Sequence, residues 1–225
     1  MSATDRAARF LRQLDLVDPE RLAAQHVTII GAGGIGSPAA LALAKMGVGK
    51  ITIYDDDTVE PHNIPLQLYG NGHLGQPKVM ALSDTLARLA DVQVLPVNAL
   101  FDARSPRPSG IVISAVDRMS QRAIIWQQCR RNPGVELFLD GRMGAQVGIL
   151  FAFCPTILAQ GRRYEATLHS DEDAAPEPCT ARGIAYTVFM MAALMANMVR
   201  KHVVGNPLPF ETDFCMESFA LLTVE

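Results

Sequence analysis

Four sets of residues in this 225-residue chain have types and spacing suited to chemistry. The first is Gly31-Ala32-Gly33-Gly34-Ile35-Gly36, a G-x-G-x-x-G spacing directly after an apolar run that ends in Ile29 and Ile30. In such a turn the first glycine makes the bend. The second lets backbone approach a phosphate, and the third lets the following helix pack on the strand. The helix start then offers unpaired N–H groups to an anion. The second set is Asp55 to Asp57. Asp55 lies 19 residues past Gly36, where an acidic residue commonly takes a ribose hydroxyl. Three adjacent carboxylates disfavour a 2′-phosphate, and Asp57 equally suits a turn. The third is Lys78, at the start of an expected helix and against the dipole preference. A bound phosphate would account for it, and so would plain solvation. The fourth is Asp117, at the carboxyl end of an apolar run, where open parallel sheets bind ligands. A carboxylate there could hold Mg²⁺ or cap the next helix.

The elements that must position these residues follow from the same pattern. Strands are expected at 26–30, 50–54, 92–97, 111–116, 135–139 and 146–153, with a closing strand pair in 210–224. Helices are expected at 5–16, 37–46, from Lys78 along the Val79, Leu82, Leu86, Leu89 stripe, at 121–131 with Trp126 inward, and at 183–204. Residues 140–144 read as a turn and 159–182 as a mobile crossover loop carrying Cys179. Strands alternating with helices give an α/β fold. It is Rossmann-like, with a mostly parallel central sheet, helices on both faces and antiparallel strands toward the C-terminus. Nothing divides the chain, so residues 1–225 are expected to be one domain.

Bulk composition narrows the function. The net charge of −3 and the lack of a basic run argue against nucleic acid. No apolar run is long enough to span a membrane and no signal peptide is recognisable, so a cytoplasmic location is expected. The four cysteines form no C-x-x-C pair, which disfavours a zinc knuckle or a disulfide framework.

The order of these parts resembles the ThiF/MoeB/HesA family, small bacterial relatives of ubiquitin-activating enzymes. The likeness runs from about Arg9 to Gly205. It rests on Arg9-Phe10-Leu11-Arg12-Gln13, the glycine turn, Gly47-Val48-Gly49, Asp55 to Glu60, Asn63 with Gln67, Gly75-Gln76-Pro77-Lys78-Val79, and Asp117. The resemblance implies ATP-dependent adenylation of the C-terminal carboxylate of a ubiquitin-like or sulfur-carrier protein, with ATP and Mg²⁺ bound. By matching position, Gly31, Gly33, Gly34 and Gly36 would cradle the nucleotide. Asp55 would hold the ribose, with Asp57 in the same set. Asn63, Gln67 and Lys78 would surround the phosphates, and Asp117 would bind Mg²⁺. Arg12 would act in the partner subunit's site of a homodimer. Cys179 matches a crossover-loop cysteine that in some members joins the carrier covalently and in others is dispensable.

Such chemistry needs no general base, because a carboxylate is ionised at pH 7; alignment and charge neutralisation by Lys78, Arg12 and the metal suffice. Two departures stand out. Leu66 occupies the place of an arginine in the family's Asn-x-x-Arg-Gln pattern, and the paired zinc ligands of many members are missing, so no structural zinc is expected. Leu66 keeps open a catalytically degenerate nucleotide-binding homologue acting through a partner, and a peptide or small-molecule carboxylate remains an alternative substrate. A nucleotide-dependent oxidoreductase is the weakest alternative, resting on the glycine turn alone.

Overall fold

Eight strands form one sheet in the order β3-β2-β1-β4-β5-β6-β7-β8. The computed structural model describes residues 3–171 and 183–225. Strands β1 (His26–Ile30), β2 (Lys50–Tyr54), β3 (Gln93–Val97), β4 (Gly110–Ser114) and β5 (Val135–Gly144) run parallel. Strands β6 (Val147–Phe153), β7 (Glu211–Cys215) and β8 (Ala220–Val224) continue the sheet antiparallel. Ile30 pairs with both Tyr54 and Ser114, so β1, β2 and β4 finish level at their carboxyl ends. This is the Rossmann-like arrangement expected from the sequence.

The strand residues explain the two layers that cover the sheet. Ile29, Ile51, Ile53, Ile111, Ile113, Leu137 and Leu139 point to one face and are buried with side chains of α3 (Gly36–Met46), α4 (Lys78–Leu89) and α7 (Ala185–Val204). Alternate residues, Ile30, Tyr54, Val112, Phe138, Phe151 and Phe153, are buried on the other face. There they meet Trp126 of α5 (Met119–Cys129) and Tyr164 of α6 (Leu158–Glu165). Ala39, Ala40 and Ala44 bring α3 close to α7, whose Met191, Met195 and Met198 fill the core as expected. Trp126 stacks edge-on against Tyr164, with centroids 5.2 Å apart. No helix among the described residues is long and apolar enough to cross a membrane.

Three segments differ from expectation. The helix expected over 5–16 is α1 (Ala3–Arg9) followed by a 3₁₀ turn at Leu11–Gln13, and a short α2 (Pro19–Ala23) comes next. Tertiary contacts break it: Phe10 packs on Gly47, and Gln13 Nε2 donates to Met46 O at 2.7 Å. The turn expected at 140–144 is instead the second half of β5, paired antiparallel with β6; the reversal comes at Ala145, with φ 47°. Its glycine admits a neighbour, since a Cβ on Gly141 would lie 2.4 Å from Met195 Cε. The stretch expected as a crossover loop from 159 opens as helix α6, which buries Gly161 and Tyr164. Cys179 lies outside the described residues.

Candidate active site

The glycine turn joins β1 to α3, and its four glycines have two different reasons. Gly31 has φ +99°, and a Cβ there would lie 2.5 Å from Ala115 O. A Cβ on Gly36 would lie 1.8 Å from Gly31 O. Packing therefore excludes side chains at both. At Gly34 a Cβ would meet nothing within 4 Å, and at Gly33 only Gln67 Nε2, at 3.9 Å. Among the described residues, the N–H groups of Gly33, Gly34 and Ile35 donate to no protein acceptor. Bare amides at the start of an 11-residue helix, with open space beside Gly34, are a cradle for an anion.

Asp55 follows β2 beside this turn. Its Oδ2 accepts from Ala32 N at 2.7 Å and its Oδ1 from Asp57 N at 2.9 Å. The residue expected to hold a ribose thus first fixes the turn, with lone pairs left over. Burial pushes its carboxyl above the usual range, and the N–H bonds and Lys78 only partly offset this. Lys78 Nζ reaches Asp57 Oδ2 at 2.7 Å; the lysine side chain is 8% exposed and the aspartate 66%. The carboxylate of Asp57 thus accounts for a lysine at the start of α4. It leaves the ammonium held close to the turn through Asp57, Asp55 and Ala32.

The loop after β2 is latched onto the same turn. Ser37 Oγ donates to Gly33 O at 2.8 Å and accepts from Leu68 N at 3.2 Å. Tyr69 OH, buried, donates to Ala32 O at 2.7 Å, and burial drives its phenol well above the usual value. Gln67 Oε1 is buried with no partner among the described residues. An orphaned acceptor beside bare amides fits a ligand that brings its own donors. Asn63 has a different job: buried, its Oδ1 accepts from Glu60 N at 2.9 Å and closes the Pro61–Asn63 turn.

Asp117 follows β4, two residues after Ala115, whose N–H bonds Ile30 O at 2.8 Å. It therefore stands on the same rim as the glycine turn and Lys78. It is exposed, lining a cavity of about 450 Å³ with Arg118, Met119 and Asp171. It does not cap α5. Asp171 does, accepting from Ser120 N at 3.0 Å and Ser120 Oγ at 2.6 Å. No hydrogen bond or ion pair engages Asp117 among the described residues. An uncommitted carboxylate there suits Mg²⁺, which takes one or two carboxylates and keeps its waters.

Beneath this loop lies a charged cluster that the sequence did not announce. Asp140 of β5 is fully buried between the guanidiniums of Arg122 and Arg142. Burial raises its carboxyl, but the two arginines outweigh that and hold it below the usual range. In the sequence, Asp140-Gly141-Arg142 has the composition of a turn, and nothing local marks Arg122 as its partner.

Arg12 is not brought together with these residues. It is exposed in the 3₁₀ turn beside Met46, at the far end of α3 from Gly36, about 15 Å along the helix axis. It lines a cleft of about 1010 Å³ with Arg9, Lys45 and Arg88. That cleft is the larger of the two, but it lies away from the glycine turn.

Comparison with known proteins bears on the family and the fold. The chain is 42% identical over 94 residues to the molybdopterin-synthase adenylyltransferase of Escherichia coli, a match covering 41% of this chain and 38% of that protein. It is 35% identical over 126 residues to the SAMP-activating enzyme E1 of Haloferax volcanii, covering 52% and 47%. The matched stretches thus span less than half the length of these curated relatives. Among solved structures, E. coli MccB with ATP superposes with TM-score 0.76 at 17% identity, covering 96% of this chain and 70% of that one. PaaA gives 0.76 at 20%, covering 100% and 74%. These similarities at low identity speak for the fold. The ThiF family profile matches residues 4–220, nearly the whole chain, and the chain therefore belongs to the ThiF family.

Proposed function

We propose that the chain is an adenylyltransferase that binds ATP at the glycine turn and transfers AMP to the C-terminal carboxylate of a ubiquitin-like or sulfur-carrier protein. The observation that carries this is the single rim on which bare turn amides, the buried Lys78 ammonium and the uncommitted Asp117 carboxylate meet. The named activities of the relatives support it. In this reading Gly31, Gly33, Gly34 and Gly36 shape the nucleotide cradle, and Asp55 accepts from the ribose. Asp57 holds Lys78 ready, and Gln67 meets the nucleotide from above Gly33. Asn63 keeps the loop in shape.

The reaction follows from charge. A carboxylate oxygen of the carrier forms a bond to the α-phosphorus, and the bond to the bridging oxygen breaks. Pyrophosphate leaves with the electron pair, and no proton need move. Lys78 places positive charge beside the phosphates, where a dry site makes it count most. Asp117 would hold Mg²⁺, which when bound supplies further neutralisation of the phosphates. Arg12, at the opposite end of α3 from its own glycine turn, is read as serving the partner subunit's site in a homodimer. Transfer onward to a thiol would fall to Cys179.

ATP–pyrophosphate exchange with candidate carriers tests the proposal. Exchange that requires a carrier with a free C-terminus, and that is lost in Asp117→Ala, supports it. No exchange in either the natural chain or Leu66→Arg overturns it. Leu66 supports a second reading, a nucleotide-binding homologue that does not turn over; it expects ATP binding with no pyrophosphate release whatever partner is supplied.

A further inference from the structure

The cluster of Arg122, Asp140 and Arg142 is costly for what it gives the core. Three charges lose most of their water there, and apolar replacements of similar volume commonly leave stability unchanged or higher. Its outward connections are more telling. Arg122, on α5, pairs with Asp140 and donates its other terminal nitrogen to Val116 O. Arg142 Nε meets Asp140 Oδ2 at 2.8 Å. Its Nη1 donates to Thr167 O at 3.0 Å and its Nη2 to Thr167 Oγ1 at 2.9 Å. The guanidinium also lies over the rings of Phe151 and Tyr164, at 4.8 and 5.5 Å.

The two backbone carbonyls so gripped lie outside the sheet ladder. Val116 immediately precedes Asp117. Thr167 leads, four residues on, to Asp171, which lines the same cavity and caps α5. The buried charges therefore link both walls of the Asp117 cavity to one anchor, Asp140, which pairs in register with Ser114 at the end of β4. We propose that Arg122, Asp140 and Arg142 are positioning residues: a clamp that sets the Asp117 loop and the 167–171 segment at a fixed separation. The two guanidiniums need opposite charge between them to sit this close, and Asp140 supplies it. The consequence for Mg²⁺ rests on the adenylation reading above; the clamp itself does not.

The test uses the full chain. In Arg122→Met/Asp140→Leu/Arg142→Leu the charges go together, so no buried ion is orphaned. Amide hydrogen exchange is followed without ligand at 116–120 and 167–171, beside a thermal melt and ATP binding with and without Mg²⁺. The clamp expects an unchanged melting temperature, exchange at least tenfold faster in both segments together, and a tenfold or greater loss of the Mg²⁺-dependent gain in ATP affinity. A folded triple variant with natural exchange in both segments overturns it. If the triple variant does not fold, Arg142→Lys decides, since a single nitrogen cannot occupy the three places from which Nε, Nη1 and Nη2 donate to Asp140 and the two Thr167 atoms. Faster exchange reaching the Asp117 loop supports the clamp, and natural exchange there overturns it. If the natural chain binds no ATP, the adenylation reading fails while the exchange data still decide the clamp.

Discussion

Replacing Lys78 with methionine separates the binding role of its ammonium from any role in stability. The side chain is 8% exposed, so the ammonium has given up nearly all its water, while Asp57, 2.7 Å away, is 66% exposed. An attraction to so well solvated a partner is worth about 1 kcal/mol or less. Methionine fills the same volume without a charge to desolvate, and Asp57 turns to water. The net change in folding free energy should stay within about 1 kcal/mol, a shift of roughly 2–4 °C in melting temperature for a chain of this size. The nucleotide should feel the change far more. Loss of one preorganised charge at a phosphate costs on the order of 10²–10³ in rate, about 2.7–4 kcal/mol. ATP–pyrophosphate exchange and a melt on the same preparation read both quantities. Asp57→Asn serves as the companion: it takes the counter-ion from a buried ammonium, so the free protein should melt lower and bound ATP, whose phosphates replace the lost negative charge, should raise its melting temperature more than that of the natural chain. Exchange and ATP affinity in Lys78→Met within threefold of the natural chain, at equal melting temperature, would refute the placement of the phosphates beside Lys78.

Other outcomes follow from the same geometry. Gly36→Ala sets a Cβ 1.8 Å from a backbone oxygen and should cost about 3 kcal/mol or more, whereas Gly34→Ala, facing open space, should melt normally and weaken ATP in a titration. Asp140 sits below the usual carboxylate range in the fold, so its contribution to stability is complete above the ordinary value of about 3.9 and is lost as pH falls through its folded-state value. Asp140→Asn should therefore flatten the acid limb of stability in urea titrations while lowering stability at pH 7 by about 3–5 kcal/mol, because two buried guanidiniums lose their counter-ion. Asp55 runs the other way: held high by burial, it favours the fold below about 3.9 and loses that contribution as pH rises through its folded-state value. ATP affinity should fall on acidification in a window above the ordinary Asp range and lose that dependence in Asp55→Asn. Leu66→Arg, restoring a cation beside Gln67, should raise pyrophosphate exchange if the site turns over.

Much of the rim was legible because its signals are local. β1 and β2 are continuous β-branched runs, and the glycine spacing is read without knowing the fold. Lys78 and Asp117 stand at element ends that periodicity locates. What stayed hidden depends on residues far apart in the chain. The Asp57 partner of Lys78 and the latch from Tyr69 to Ala32 are contacts across 21 and 37 positions. Asp140-Gly141-Arg142 read as a turn because two charges around a glycine seldom sit in a strand; only the opposing charge of Arg122 makes them tolerable there. Asp171 could not be foreseen as the cap of α5, since it lies 51 positions from Ser120. The break at Phe10 was hidden for the same reason, as the helical spacing continues while the ring is drawn to Gly47.

The level finish of β1, β2 and β4 works as a ruler. Irregularity is absorbed at the opposite edge, where Gly110, with φ +69°, opens β4 and the pairing with β5 passes over Glu136. One residue inserted between Ile111 and Ser114 would push Asp117 forward by about 3.3 Å and swap the faces of the strand it interrupts. The same insertion at Ala145, on the hairpin tip, would alter neither. Tolerance to added length along this chain should thus be graded by distance from that ruled edge rather than by burial alone.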